Sequence, residues 1–240
     1  MMIRIKSILG VAAFAVSAQA LAVPVTVVGS TVSFTFDSAL AGLFGAPAVN
    51  GDALYFTPTS FKAQSSSGAG FVVTSQTFNV AVTANAGYQI AGATLTESGD
   101  YFNINTNFAG NEGVAVSGQF ILRDLESPFA APATAGIVAS TPLTATTSLA
   151  TFGTTTWAAG ASVNVPLGWG GQDGIVGGVN VTLQDILIAS SLNAASSAFI
   201  EKKFAGIEIV TTPVPEPANY AMFLAGLGLL GYFARRRAAA

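Results

Sequence analysis

The sequence predicts an all-β fold: an antiparallel β-sandwich or jelly-roll-like ectodomain, flanked by an N-terminal signal helix and a C-terminal transmembrane helix. Between residues 23 and 212, apolar and polar residues alternate with a period of two, which places one face of a strand in a core and the other in water. Clusters of Gly, Ser, Asn and Pro recur about every 8 to 12 residues, as in antiparallel sandwiches. No stretch of this middle segment has the apolar spacing of a helix, which disfavours a parallel sheet with crossover helices.

The candidate strands are short segments in which every second residue is apolar. In the first of them, Val32, Phe34 and Phe36 alternate with hydroxyl residues. The full set is residues 31–36, 76–83, 88–96, 114–123, 161–166, 178–188 and 199–210. With weaker segments included, this pattern predicts about seven to nine strands. Gly99 and Asp100 are typical of a turn after the third segment.

Residues 127–156 are low in charge, rich in Ala and Thr, and contain three prolines. Two interpretations stay open for them: a long loop inside the fold, or an O-glycosylated, stalk-like insertion. The loop is favoured because Trp157 and the strands after it must still join the core.

Composition excludes many kinds of chemistry. The chain contains no cysteine and no histidine, and only 9% of its residues are charged whereas 51% are apolar. Disulfides, thiol nucleophiles, Cys/His zinc sites and imidazole-based triads are therefore absent. We expect a protein that is not an enzyme, with no catalytic residue, no metal site and no cofactor. Residues 23–212 carry four basic and eleven acidic side chains, a balance that repels nucleic acid.

The N-terminus has the organisation of a secretory signal. Arg4 and Lys6 precede a run of nine apolar residues at 8–16, and small residues at Ala18, Ala20 and Ala22 provide two overlapping cleavage sites. Nine helical residues cover only about 14 Å, too little to span a bilayer. Residues 1–22 are therefore predicted to be a signal peptide, threaded through the Sec translocon and removed by signal peptidase.

The C-terminus combines an apolar segment with a basic cluster. Residues 218–234 contain no charge and are followed at once by the cluster Arg235, Arg236 and Arg237. Seventeen helical residues rise about 25 Å, close to the thickness of a bilayer core, and arginines snorkel to the headgroups. This pattern predicts a transmembrane helix that holds the acidic body outside the cytoplasm.

A proline-flanked carboxylate stands directly before that segment, at Val214, Pro215, Glu216 and Pro217. The two prolines favour an extended backbone, the conformation that a processing enzyme grips. Val-Pro-Glu-Pro, a short apolar helix and a terminal arginine cluster together resemble the PEP-CTERM sorting signal of Gram-negative bacteria that make exopolysaccharide. Residues 213–240 form this third region of the chain, after the signal peptide and the β-rich domain of residues 23–212.

The resemblance implies recognition by an exosortase, a membrane cysteine peptidase or transpeptidase that removes the tail near the Pro-Glu-Pro. It also implies an exported protein that passes through an intermediate anchored in the inner membrane and ends at the cell surface or outside the cell. Segments of the body at residues 87–101 and 198–204 loosely resemble domains that often precede such tails. The resulting hypothesis is a surface or extracellular-matrix protein of a biofilm.

Alternative functions of the body remain open at this point. Trp157 and Trp169, if exposed, would stack on sugar rings, which is the basis of a second hypothesis, a carbohydrate-binding module for exopolysaccharide. An ice-binding face needs regularly spaced Thr side chains, and the sequence has no such repeat.

A secreted hydrolase is the third hypothesis. Two pairs of carboxylates, Glu97 with Asp100 and Asp124 with Glu126, are the candidates for a glycosidase acid and base. Their places at expected strand ends and turns are more typical of solvated residues. The glycine-rich segment at residues 168–178 loosely resembles a calcium-binding turn, but its single Asp would need Asp185 or another ligand.

Overall fold

The computed structural model describes residues 24–105, 113–144, 154–214 and 217–238. In these ranges the chain forms thirteen strands, two short 3-10 turns and one helix. The strands are β1 Pro24–Val28, β2 Val32–Asp37, β3 Ala48–Asn50, β4 Ala53–Phe56, β5 Lys62–Ser66, β6 Gly70–Ala84, β7 Tyr88–Asn105, β8 Gly113–Asp124, β9 Ala133–Gly136, β10 Val138–Ala139, β11 Thr155–Asn164, β12 Gly178–Ser191 and β13 Ser196–Pro213. The helix α1 spans Pro217–Ala238, and the 3-10 turns are Ser38–Leu40 and Gly42–Phe44.

The strands form two antiparallel sheets that face each other across one core, as the alternating pattern predicts. The first sheet has the order β1-β2-β6-β12-β8-β9. The second has the order β10-β11-β7-β13-β4-β3, and β5 also pairs with β13. The consecutive strands β12 and β13 lie at the centre of different sheets, so the turn between them crosses from one sheet to the other. The fold is therefore a sandwich-like arrangement of β-sheets.

The core is aromatic at its centre. Phe44 packs with its ring centroid 5.3 Å from those of Phe56 and Phe61 and 6.3 Å from that of Phe78. These four side chains come from a 3-10 turn, β4, the loop before β5, and β6, and all are at most 1% exposed. Because aromatic rings bury large areas and prefer tilted contacts, this cluster ties the two sheets together.

The predicted strand segments coincide with β2, β6, β7, β8, β11, β12 and β13. The inward residues expected for the first segment, Val32, Phe34 and Phe36, are buried. The predicted turn at Gly99 and Asp100 is wrong, because β7 continues through both residues. Gly99 is needed there for a different reason: a Cβ atom at this position would lie 1.9 Å from the carbonyl oxygen of Glu201 on the neighbouring strand.

The described part of the segment 127–156 belongs to the fold. Strand β9 pairs with β8 at the edge of one sheet, and β10 pairs with β11 at the edge of the other. Ile137, between these two strands, is buried. The segment therefore bridges the two sheets, in agreement with the loop interpretation; residues 145–153 lie outside the described residues.

The two ends of the chain compare differently with the predictions. The signal peptide predicted for residues 1–22 lies outside the described residues and stays a prediction. A helix does form at the predicted C-terminal place, as α1. Among the described residues, however, no helix combines the length and the apolarity that a membrane crossing requires, so the predicted transmembrane helix is not confirmed. The prediction counted uncharged residues, and uncharged Asn, Tyr and Gly contribute little apolar character.

Candidate functional site

The sorting-signal residues begin where the second sheet ends. Strand β13 pairs with β7 up to Pro213, which faces Tyr88. The next backbone N–H, that of Val214, donates to the carbonyl of Gly87 at 2.8 Å. Helix α1 then begins at Pro217, the first-turn position that proline favours. Pro215 and Glu216 lie outside the described residues, so the predicted processing motif is placed only as the link of two residues between the body and α1.

The apolar side chains of α1 are exposed to solvent. The large apolar side chains from Met222 to Leu230 are all half exposed or more, with Leu227 the least exposed at 50% and Met222 the most exposed at 76%. Arg235, the first of the predicted basic cluster, is exposed; Arg236 and Arg237 belong to the same helix. These side chains of α1 therefore do not belong to the core of the β-sandwich. The apolar surface that they form is available for contact with another molecule.

A second arrangement of functional interest lies inside the body. Lys202 on β13 places its Nζ 2.7 Å from Oε1 of Glu97 on β7, and Nζ also contacts Oδ2 of Asp185 on β12. All three side chains have no solvent exposure. Apart from these contacts, the carboxylates of Glu97 and Asp185 have no hydrogen-bond partner within the described residues. One cation thus faces two carboxylates in the interior, with Asp185 contributed by the opposite sheet.

Aromatic side chains enclose this cluster. The Lys202 Nζ lies 5.2 Å from the ring centroid of Phe61, 5.8 Å from that of Phe44 and 5.9 Å from that of Trp157. The Lys202 backbone N–H donates to the Phe61 carbonyl at 2.9 Å, which fixes the strand beside the rings. The rings attract the ammonium and keep water away from it.

Burial moves the ionisation of the cluster toward neutral forms. Burial lowers the pKa of Lys202 to about 8, against the opposing effect of the Glu97 carboxylate. Burial likewise raises the pKa of Glu97 above its ordinary value, against the opposing effect of the Lys202 charge. Both shifts have the same cause, which is that a charged group loses its hydration in the interior.

The carboxylate pairs considered for hydrolysis are not brought together as acid and base. Glu97 points into the core, whereas Asp100 lies on the outer face of β7 and contacts Lys203. Lys203 also pairs with Glu201 at 3.1 Å, so these three residues form a surface ion cluster. Glu97 therefore belongs to the buried cluster and Asp100 to the surface ion cluster, on opposite faces of β7.

The second pair holds the glycine-rich loop. Asp124 Oδ2 accepts from the Gly170 N–H at 2.9 Å, and Oδ1 accepts from the Glu126 N–H at 2.9 Å. Glu126 in turn accepts from the Gly177 N–H at 3.0 Å. Burial acts to raise the pKa of Asp124, but these backbone hydrogen bonds outweigh it and hold the pKa below its usual value. Asp124 and Glu126 thus act as loop anchors.

The predicted calcium ligands and sugar-stacking residues also have other roles. Asp173 in the glycine-rich loop accepts from the Ile175 N–H at 3.0 Å, while Asp185 belongs to the buried cluster. The described residues hold no group of three or more acidic side chains arranged for a metal ion. Trp157 and Trp169 are only 2% and 5% exposed, so neither offers a ring to a sugar.

Sequence reasoning missed Lys202 and assigned Glu97 and Asp185 to other chemistry. For the two carboxylates, the alternation of inward and outward residues along each strand is itself the signal. Asp185 continues the inward series of Val181 and Leu183, and Glu97 continues that of Ala93 and Leu95, at positions where an apolar residue is expected. A charged residue at an inward position indicates a paired or reactive group.

Comparisons with known proteins concern mainly the tail. No curated protein matches the chain. One solved structure, described as "Structure of infectious bursal disease virus Gt strain", aligns with 88% of this chain and 56% of its own at 14% identity, with a TM-score of 0.23; the chain thus spans little more than half of that protein. The PEP-CTERM protein-sorting motif matches residues 213–238, the segment that leaves β13 and forms α1. Those residues are a PEP-CTERM sorting signal, which implies that this is an exported protein sorted by an exosortase.

Proposed function

We propose that this protein is a non-enzymatic surface or extracellular-matrix component whose β-sandwich is delivered by its tail. Residues 1–22 direct it through the Sec translocon, signal peptidase removes them, and an exosortase then acts near Pro215 and Glu216. The PEP-CTERM motif at residues 213–238 is the observation that carries this proposal. The final destination is the surface of a Gram-negative bacterium or the matrix around it.

The geometry of the tail supports recognition by a membrane enzyme. The exposed apolar side chains between Met222 and Leu230 favour transfer out of water, because each buried leucine gains about 1.5–3 kcal/mol. The membrane around an exosortase, or the enzyme itself, supplies that apolar environment. Arg235 at the end of the same helix adds the attraction of a cation for anionic headgroups.

The distance between body and helix constrains the processing step. Val214 is still hydrogen-bonded to the sheet, and α1 starts at Pro217. Three residue steps in extended conformation reach only about 10 Å. The exosortase therefore cuts directly beside the folded sandwich, and the residues it grips include the end of β13.

The proposal that the body is non-enzymatic is supported by the roles of its acidic residues. Asp124 and Glu126 anchor a loop, and Asp100 belongs to a surface ion cluster. Glu97 and Asp185 are fully buried and have no access to a substrate.

A carbohydrate-binding role is the second candidate, favoured by one surface feature. On the outer face of the second sheet, Tyr55 and Phe204 stack with ring centroids 6.4 Å apart and planes at 21°. They line a shallow depression of about 410 Å³ together with polar Asn50, Thr96 and Glu208. Aromatic faces flanked by hydrogen-bonding groups are suited to sugar rings. Replacing Tyr55 by Ala should abolish retention on the host's exopolysaccharide, while Tyr88→Ala, at another exposed ring, should not.

The sorting proposal is tested by the C-terminus of the mature protein. The full chain is expressed in a host that makes an exosortase and in the same host without it, and the terminal peptides are identified by mass spectrometry. We expect loss of the residues after the Pro-Glu-Pro only where the enzyme is present. Glu216→Ala should prevent this loss, while Glu208→Ala, on an exposed glutamate of β13, should leave it unchanged. A C-terminus at Ala240 in both hosts would contradict the proposal.

A further inference from the structure

The buried cluster of Lys202, Glu97 and Asp185 has an unbalanced charge. With every group ionised it holds one positive and two negative charges, and within the described residues no backbone or side-chain donor other than Lys202 compensates the carboxylates. A net charge in a dry interior is strongly unfavourable, so one carboxylate takes up a proton. The stable state of the cluster therefore contains one carboxylic acid beside an ammonium and a carboxylate.

An amine and a carboxylic acid held in contact are the reactants of amide formation. Both pKa shifts favour transfer of a proton from Lys202 to Glu97, which produces the neutral amine: burial lowers the pKa of Lys202 to about 8 and raises that of Glu97. Holding two reacting groups in contact replaces a collision in solution and corresponds to effective concentrations of roughly 10⁵–10⁸ M in well-oriented cases. The aromatic rings of Phe44, Phe61 and Trp157 exclude the water that would reverse the reaction.

We propose that Lys202 and Asp185 form an intramolecular isopeptide bond, which joins β13 of one sheet to β12 of the other, with Glu97 as the proton-transfer group. Asp185 is the acylating partner because Lys202 Nζ contacts its carboxylate more closely than that of Glu97. Glu97 lies at 2.7 Å from Nζ, a hydrogen-bond distance suited to moving a proton.

The reaction balances without an external reagent. It starts with Lys202 as the ammonium, Glu97 as the carboxylate and Asp185 as the carboxylic acid. Glu97 takes one proton from Nζ, and the neutral amine attacks Cγ of Asp185 to form the C–N bond. A second proton passes from Nζ, by way of Glu97, to the hydroxyl on Cγ; that C–O bond breaks and one water molecule leaves. The product is a neutral amide beside a neutral Glu97, so the unfavourable buried charges are gone.

The local backbone is built to bring the three groups together. Lys202 faces Gly99 in the β7 pairing and continues the inward series of Ile200, and the bulge between Lys202 and Phe204 allows Ala205 to be buried as well. Asp185 faces Gly118 in the β8 pairing. A Cβ atom would lie 1.9 Å from the Glu201 carbonyl oxygen at Gly99 and 2.0 Å from the Gln184 carbonyl oxygen at Gly118, so glycine at both positions permits a close approach of the strands that carry Lys202 and Asp185.

The test is peptide mapping of the full chain after purification from a Gram-negative host under conditions where its tryptophan emission shows a folded core. The protein is denatured and cleaved with a protease that cuts after Leu and Phe, since Leu187, Leu192 and Phe199 lie between the two partners. We expect one species that joins the peptide of Asp185 to that of Lys202, lighter than their sum by one water. Free, unmodified Lys202 in the folded protein would overturn the proposal, and a link from Lys202 to Glu97 would overturn the choice of Asp185.

Variants separate the roles of the three residues. Lys202→Arg keeps the charge but should give no linked species. Glu97→Gln keeps the size but cannot accept the proton, so linkage in freshly made protein should slow by roughly 10²–10⁴-fold. Lys203→Arg is the matched control, since Lys203 is an exposed lysine next in sequence that pairs with Asp100 and Glu201; it should leave the link intact. Full linkage in a folded Glu97→Gln variant would refute the role of Glu97, and the wild-type map decides the bond itself even if a variant does not fold.

Discussion

Replacing Gly99 by alanine tests the packing of the two central strands of the second sheet. The added Cβ would lie 1.9 Å from the Glu201 carbonyl oxygen and 2.9 Å from Nε1 of Trp157. Ordinary contacts between carbon and other heavy atoms are near 3.5 Å, so β13 must move away from β7 by more than about 1 Å. Strand β13 lies at the centre of this sheet, between β7 and β4. The close packing of the core opposes such a shift of a central strand.

The expected cost follows from two terms. Overpacking a well-packed site costs about 1–3 kcal/mol, and the Trp157 indole loses its hydrogen bond to the Glu201 carbonyl, worth about 1 kcal/mol. That hydrogen bond measures 3.0 Å in the native structure. We therefore expect Gly99→Ala to lower the free energy of unfolding by about 2–4 kcal/mol.

The measurement is urea unfolding of the purified protein followed by tryptophan fluorescence. Both tryptophans are buried, so their emission reports the loss of the core. Gly136→Ala is the matched control: Gly136 also lies in a strand, but nothing stands within 4 Å of its added Cβ, and we expect a change within about 0.5 kcal/mol. An unfolding midpoint of Gly99→Ala equal to that of the wild type would refute the reasoning.

Three further predictions concern the core, the loop anchor and the tail. Phe44→Ala should cost about 3–5 kcal/mol in urea unfolding because it empties the centre of the aromatic cluster, whereas Phe129→Ala, at a fully exposed ring, should cost almost nothing. Because hydrogen bonds from the loop hold the pKa of Asp124 below its usual 3.8, the stability it provides is complete above that pH and is lost as the pH falls through the folded value. Asp124→Asn should flatten that part of the curve of unfolding free energy against pH, and an unchanged curve would contradict the assignment. Leu227→Glu should leave the unfolding free energy within about 0.5 kcal/mol, since this side chain is half exposed, yet reduce recovery of the protein with membranes by fractionation; equal recovery would contradict a role for the apolar surface of α1.

Alternation in the sequence was sufficient to predict most of the sheet. The buried positions of β2 and β6 are apolar in register, as are those of β12 from Val179 to Leu183, and their burial follows directly from the two-residue period of a strand. The turn at Gly99 could not be rejected from sequence, since glycine favours a turn and a close approach of backbone equally well. Only the pairing of β7 with β13, a contact between distant parts of the chain, shows which applies.

Of the buried cluster, Lys202 was hidden by the same kind of nonlocal information. Counting inward positions forward from Ile200 places Lys202 in the core, but counting back from Ile207 places Lys203 there instead. The bulge between Lys202 and Phe204 resolves this conflict, and a bulge has no reliable local signal. The sorting motif was predictable because its parts are contiguous in sequence and need no tertiary contact, whereas the transmembrane character of its helix is not confirmed.

Strand β13 connects the two functional features of the molecule. It holds Lys202 in the core and continues to Pro213, where the sorting signal begins. If the β-sandwich remains attached through its C-terminal end after sorting, a mechanical force on that attachment acts first on Pro213. The force then breaks the hydrogen bonds between β13 and β7 one after another. An ion cluster would yield when this opening reached it, because the separated charges gain hydration. A covalent bond from Lys202 to Asp185 would instead transmit the force to β12. This is a central strand of the opposite sheet and has paired strands on both sides. In a chain without cysteine, an amide at this point is the chemistry by which an exported sandwich resists unravelling from its attached end.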